Sequence, residues 1–280
     1  MKLWILGKTG LLGNALAELC IERKIDFTIT SRQDADITSL ESLESAASKI
    51  NPTYIVNCTA FNDVDGAEKT PEKAYAINSL GPQNLGKLGI KVTHISTDYV
   101  FDGEKNTPYK EEDPCSPLSV YGKSKREGEV NLLTSTPNAL VIRTSWLFGK
   151  GGKNFISALL NILKTQEVVK TTSDQIGSPT YAKDLARGIL SSLDYSGLFH
   201  FSNVGEVSRF EVANYFMELA KDRAIPLLCN NLLPISTKEV NFIAKRPMYS
   251  ALDIGKIKNA LGFAPRTWQE AVEDYVDAIW

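Results

Sequence analysis

Apolar residues along the chain come in short runs closed by glycine or polar residues, and between these runs lie longer stretches with apolar positions three and four apart. Lys2 to Leu6 is the first run and ends at Gly7; the segment after it, Leu11 to Arg23, sets Leu12, Leu16, Leu19 and Cys20 on one helical face. That pattern predicts strand, turn, helix. Further strands are predicted at Ile25 to Thr30, Tyr54 to Cys58, Lys91 to Ser96 and Ala139 to Ser145, with segments of helical character between them. Helices are predicted at Leu118 to Leu133 and Phe155 to Lys164. Regular alternation of β and α predicts an α/β fold, a doubly wound parallel sheet.

After Arg143 the pattern loosens. Gly149, Gly151 and Gly152 mark a loop, and shorter strands (Glu167 to Lys170, Leu198 to Ser202) alternate with helices at Tyr181 to Leu193 and Arg209 to Lys221. Ser208 with Glu211 three residues on has the spacing of a capping box. Ala224 to Met248 reads as irregular and proline-punctuated, and terminal helices are predicted at Ile254 to Leu261 and Trp268 to Ile279. The expected division is a nucleotide-binding domain over 1–145 and a smaller, mainly substrate-binding domain over 146–280, interleaved with the last sheet elements.

Composition narrows the function. With 43% hydrophobic and 23% charged among 280 residues, the chain can bury one large core and a smaller one. A formal charge of −2 leaves no basic excess to neutralise nucleic-acid phosphates. No apolar stretch approaches a bilayer span, and the N-terminal run is too short for a signal peptide, so the expected location is the cytoplasm, with neither membrane nor nucleic acid as partner. Cys20, Cys58, Cys115 and Cys229 are far apart and read as free thiols. The two histidines, His94 and His200, each sit inside an apolar run without a neighbour at metal-ligand spacing, so no dedicated metal site is expected.

Gly7-Lys8-Thr9-Gly10-Leu11-Leu12-Gly13 follows the first strand and opens the first helix, the context a dinucleotide fingerprint requires. Glycine there permits a tight turn and close approach of a pyrophosphate, and the helix N-terminus offers free N–H groups and partial positive charge. A Rossmann-type cofactor domain is therefore expected. The Gly-Lys pairs at Gly7 and Gly122 do not make a P-loop, because Lys2 and Pro117 stand where its first glycine would be. The second strand runs into Ser31-Arg32. An arginine there accommodates a ribose 2′-phosphate and favours NADPH, NADH staying open, with Asp36 a further candidate near the adenine.

Tyr121 and Lys125 stand four apart and so share a helical face, where an ammonium can stabilise a phenolate and tune the tyrosine for proton transfer. The fourth strand ends at Thr97, where open α/β sheets bind ligands, and a hydroxyl there can bond a substrate carbonyl. Asp98 and Asp102 read as turn-formers bonding their own backbone rather than as acids.

Together the glycine turn, Ser-Thr-Asp-Tyr-Val-Phe-Asp-Gly at 96–103 and Tyr-Gly-Lys-Ser-Lys at 121–125 resemble the extended short-chain dehydrogenase/reductases, and within them the dTDP-4-dehydrorhamnose reductase branch. The likeness continues through Arg143 to Gly149, Asp174 to Thr180 and Arg246-Pro247, nearly the whole chain. It implies NADPH-dependent reduction of the 4-keto group of dTDP-6-deoxy-L-lyxo-4-hexulose, with Tyr121 as acid, Lys125 on the nicotinamide ribose and Thr97 completing the set. It also implies a cofactor groove of Gly7, Thr9, Gly10, Leu11, Leu12, Gly13, Ser31, Arg32, Asp36, Ile37, Thr59, Ala60, Phe61 and Asn78. The substrate side would hold Thr97, Asp98, Val100, Trp146, Asn154 and Arg246. The resemblance also leaves open a homodimer and a bound Mg2+, as in some relatives, with the acidic ligands of that metal not assigned in this sequence. This chain departs from the pattern at Gly66, where lysine is frequent, and at Leu11, where glutamine is. Two rivals stay open: a ketoreductase for another nucleotide sugar, and a non-catalytic cofactor-binding module like the regulatory subunit of methionine adenosyltransferase.

Overall fold

The computed structural model of the chain describes residues 1–152 and 154–279. Its centre is a six-stranded parallel sheet containing β1 (Lys2–Leu6), β2 (Asp26–Thr30), β3 (Tyr54–Asn57), β4 (Lys91–Thr97) and β5 (Leu140–Thr144). The sixth strand, Gly197–His200, pairs with β5 at one edge, and the order across the sheet is then β5, β4, β3, β1, β2. The chain reverses direction across the sheet between β1 and β3, which opens a crevice beyond their carboxyl ends.

Alternation along each strand feeds both faces. Leu3 and Ile5 join Tyr54, Val56, Leu140 and Ile142 on one face, against Leu12, Leu16 and Leu19 of α1 (Leu11–Glu22) and the apolar side of the helix Ala182–Ser191. Trp4 and Leu6 join Ile55, Val92 and Val141 on the other, against Leu43, Leu85 and Leu132. Because both faces are covered, the strands read as nearly continuous apolar runs. A third cluster fills the second half of the chain, where the helices Phe155–Thr165, Arg209–Asp222 and Trp268–Ile279 meet around Phe148, Phe216 and Tyr275. Among the described residues no helix is long and apolar enough to cross a membrane.

The predicted elements fall within a few residues of those observed, and Ser208 and Glu211 form the reciprocal capping box. Two features differ from expectation. The stretch after Ala224 is not wholly irregular: Asn231–Ile235 is a strand paired in parallel with Val168–Thr172. It is only partly buried and carries Pro234, and a proline in an apolar run argues against a strand when read locally. A π-helical turn, Ala76–Leu80, interrupts the helical stretch before β4.

Candidate active site

The turn after β1 is built by its glycines. Gly7 has φ +113°, a conformation that L side chains rarely adopt, and its N–H and that of Lys8 bond to the Thr30 carbonyl at 3.0 and 3.1 Å. A Cβ on Gly13 would lie 2.2 Å from the Gly7 carbonyl oxygen, so glycine there lets the helix abut the strand. Gly10 caps α1 without a side-chain bond, and the first turn carries no acid. The N–H groups of that turn face the crevice, which suits a pyrophosphate.

Two cavities flank this turn. One, of about 370 Å³, is lined by Gly7, Thr9, Arg32, Asp36 and Ile37 with Thr59 and Ala60. Arg32 is largely exposed and lies 3.3 Å from Asp36, whose other oxygen accepts from Thr38 N–H and hydroxyl. Ser31 does not line it; its hydroxyl donates to Asp34 at 2.7 Å. The other cavity, of about 190 Å³, is lined by Gly10, Leu11 and Leu12 on one side and by Thr97, Asp98, Tyr121, Lys125 and Trp146 on the other. Among the described residues, Ser96 Oγ and Thr144 Oγ1 are buried beside this cavity with no partner. Orphaned buried hydroxyls are costly, and these two are available to a polar ligand.

Asn78 stands behind the groove. Its amide accepts from Phe61 N–H at 2.8 Å and donates to the Phe61 carbonyl and to Ser124 Oγ, both at 3.0 Å, bracing the loop after β3 against the helix Val120–Ser135. Phe61 is held by that brace instead of facing either cavity.

Tyr121 and Lys125 project from the first turns of the helix Val120–Ser135, whose N-cap, Ser119, accepts from Gly122 N–H at 3.1 Å. Gly122 and Gly128 let it sit tightly, since a Cβ would come within 2.2 Å of the Tyr99 carbonyl and 2.0 Å of the Asn78 carbonyl respectively. Burial raises the Tyr121 phenol above its ordinary value, the Thr97 hydroxyl works against this, and Asp98 adds to it. The expected lowering by Lys125 is not what this geometry shows. The lysine Nζ is turned to the Ile95 carbonyl at 2.5 Å and to His94 Nε2 at 3.2 Å, and burial brings it down to about 8. The phenol thus keeps its proton, as an acid must before transfer.

Asp98 is more than a turn-former. Buried, it accepts from Ser250 Oγ at 2.6 Å and Thr97 Oγ1 at 3.0 Å, and burial pushes its carboxyl up to about 6. Asp102 does cap its own turn, accepting from Glu104 N–H at 3.1 Å. Val100 is wholly buried with Phe101, Tyr109 and Leu252 and lines neither of these two cavities. Asn154 is the N-cap of the helix Phe155–Thr165, its amide accepting from Ser157 N–H and donating to the Gly149 carbonyl.

A third cavity, of about 360 Å³, lies between Tyr99, Phe155, Gln175, Arg209, Phe242 and Arg246. Arg246 pairs with Asp65 at 2.9 Å while its Nε is buried without a partner among the described residues. Arg209, which the sequence analysis missed, stacks over Trp146 at 4.2 Å and Phe155 at 4.5 Å and donates to Gln175 at 3.1 Å. No local signal marks it; the antiparallel pairing of Val207–Ser208 with Ile176–Gly177 brings it there. Trp146 itself has φ +44°, and a Cβ on Gly177 would strike its ring at 2.6 Å. Among the described residues no group of three or more His, Cys, Asp or Glu could hold a metal ion.

The chain matches the family model described as RmlD substrate binding domain over residues 1–280. It is 36% identical to the spore coat polysaccharide biosynthesis protein SpsK of Bacillus subtilis, over 98% of this chain and 96% of that protein. It is also 36% identical to dTDP-4-dehydrorhamnose reductase of Aggregatibacter actinomycetemcomitans, over 98% and 97%. Among solved structures, dTDP-4-dehydrorhamnose reductase from Bacillus anthracis in complex with NADP superimposes with a TM-score of 0.93 at 33% identity, covering 99% of each chain.

Proposed function

The chain belongs to the RmlD substrate binding domain family, and from that premise we infer that it is an NADPH-dependent reductase converting dTDP-6-deoxy-L-lyxo-4-hexulose to dTDP-L-rhamnose. The observation that carries the reading is the small cavity, where the α1 turn, Thr97, Tyr121 and Lys125 converge. When bound, NADPH supplies the hydride that reduces the carbonyl carbon.

The remaining work falls to the protein. The N–H groups of the α1 turn hold the pyrophosphate, Ile37 and Ala60 flank the adenosine end, and Arg32 takes the 2′-phosphate by exchanging its exposed pairing with Asp36. Thr97 bonds the substrate carbonyl and Tyr121 gives its proton to that oxygen as charge develops. Lys125 holds the nicotinamide ribose. Residues of 1–145 thus hold the cofactor. The nucleotide-sugar side falls chiefly to 146–280, where Trp146 packs on the sugar ring and Arg209 and Arg246 grip the diphosphate. Two guanidinium groups facing one cavity, one with an unpartnered buried Nε, favour a dianionic ligand.

The test is loss of NADPH absorbance with the keto sugar generated in place. Tyr121→Phe is expected to lower kcat by about 10²- to 10⁴-fold with NADPH affinity nearly unchanged; a mutant as fast as the wild type removes Tyr121 from the mechanism. Arg32→Ala is expected to weaken NADPH about tenfold more than NADH, the scale of one lost charge-assisted hydrogen bond. Equal losses for the two cofactors in a binding titration would take Arg32 away from the 2′-phosphate.

A further inference from the structure

Beneath Lys125 lies a buried chain of hydrogen bonds that the reaction as described does not use. Asn57 ends β3 and is the register partner of His94 on β4, and both side chains are fully buried. Asn57 Oδ1 accepts from the backbone N–H of Thr59 at 3.0 Å and from the Thr59 hydroxyl. A backbone N–H can only donate, so the oxygen of the amide must face Thr59 and its NH2 must face His94 Nδ1, 2.9 Å away. An amide NH2 also only donates. Nδ1 therefore carries a lone pair, and the single proton of the neutral imidazole sits on Nε2.

That proton points at Lys125 Nζ, 3.2 Å away, while Nζ donates to the Ile95 carbonyl at 2.5 Å. A free amine satisfies both neighbours, accepting from His94 and donating to Ile95. An ammonium would set an N–H against an N–H. The other titratable groups about the lysine include Tyr121 and Glu129 of its own helix and, lining the same cavity, Asp98 after β4 and Cys58 after β3. Glu129, which favours the cation, is engaged by Arg143 of β5 through two contacts of 2.8 Å and by Arg126 at 2.8 Å.

We propose that His94, locked by Asn57 as its Nε2–H tautomer, is a positioning residue that favours Lys125 as an uncharged amine, so that the lysine changes charge within the working pH range instead of remaining a permanent cation. Burial, which lowers Lys125 to about 8, acts in the same direction. The proposal rests on the reading of Lys125 as part of the reductase site only in its consequence for catalysis; the tautomer itself is independent of that reading.

The chain provides its own control. His200 Nδ1 faces the Tyr109 carbonyl at 3.0 Å and Nε2 faces Arg143 at 3.4 Å, so His200 carries its proton on Nδ1, the opposite tautomer. Long-range proton–nitrogen NMR of protein labelled in the imidazole nitrogens is expected to show one histidine of each tautomer, with the signals assigned by their disappearance in His94→Gln. Two Nδ1–H histidines, or a His94 that titrates near neutral pH, overturn the proposal. In the pH profile of kcat/KM, His94→Gln presents a carbonyl oxygen to Nζ, and the alkaline limb is expected to move up by about one pH unit, a tenfold change in the charge equilibrium. A limb that stays in place while kcat falls means a packing role only and overturns it. If neither protein reduces the keto sugar, the functional reading fails while the tautomer measurement still decides this one.

Discussion

Asp98 sits where the substrate is expected, and its environment makes a sign-definite statement about stability. Its carboxyl rises from 3.8 to about 6 in the fold because burial penalises the charge more than Ser250 and Thr97 relieve it. A raised carboxyl means the folded chain binds the proton more tightly than the unfolded one. The stabilisation is fully present below about 3.8 and is lost as the pH rises through about 6, to the extent of about 3 kcal/mol at neutral pH. Asp98→Asn is therefore expected to raise the unfolding free energy relative to wild type at pH 7.5, with the difference vanishing near pH 4; denaturant melts across that range check it. Such residues also mark what the sequence could disclose. Tyr121, Lys125 and the glycine turn were legible because their chemistry is set by spacing within one element. Val100 sits within a matching string, yet whether its side chain turns to a cavity or a core is settled by packing partners far along the chain, Tyr249 and Leu252 among them.

Among elements, the pairing of Val207–Ser208 with Ile176–Gly177 decides the shape of the substrate side. It starts the helix Arg209–Asp222 beside Trp146 and leaves the indole one wall of guanidinium and one of bare backbone at Gly177. Gly177→Ala brings a methyl to 2.6 Å from the ring, so the indole must move. Overpacking of this kind costs about 1–3 kcal/mol, and the expected result is a KM for the nucleotide sugar raised about tenfold with NADPH affinity intact; steady-state kinetics and cofactor titration separate the two. The strand Asn231–Ile235 was illegible for the opposite reason to Arg209: it sends a misleading local signal, with a proline in a half-exposed edge, and only its partner Val168–Thr172 makes it a strand.

At the scale of the whole molecule, the two halves of the chain are joined at Asp65, which holds Arg246 at 2.9 Å and accepts from Ala244 N–H at 2.9 Å. One carboxylate thus fixes both the backbone and the guanidinium that face the third cavity. Asp65→Asn removes the charge and leaves a largely buried guanidinium short of compensation, an arrangement that is destabilising wherever a buried pair is broken. A KM for the keto sugar at least about tenfold higher is expected, with cofactor binding unaffected; an unchanged KM would take Arg246 out of diphosphate binding. The parallel sheet as a whole was legible in the alternation of apolar runs, since burial on both faces leaves that imprint wherever it occurs. Its sixth strand has a consequence for synthesis. Five strands are complete once Thr144 has left the ribosome, but the strand that covers the Leu140–Thr144 edge begins only at Gly197, after the chain has passed through the helices Phe155–Thr165 and Ala182–Ser191. At about 5–20 residues per second, an apolar Leu-Val-Ile edge with its N–H and C=O groups unpaired stays uncovered for several seconds on every nascent chain. During that interval the emerging protein depends on chaperones or on its own speed to escape edge-to-edge association.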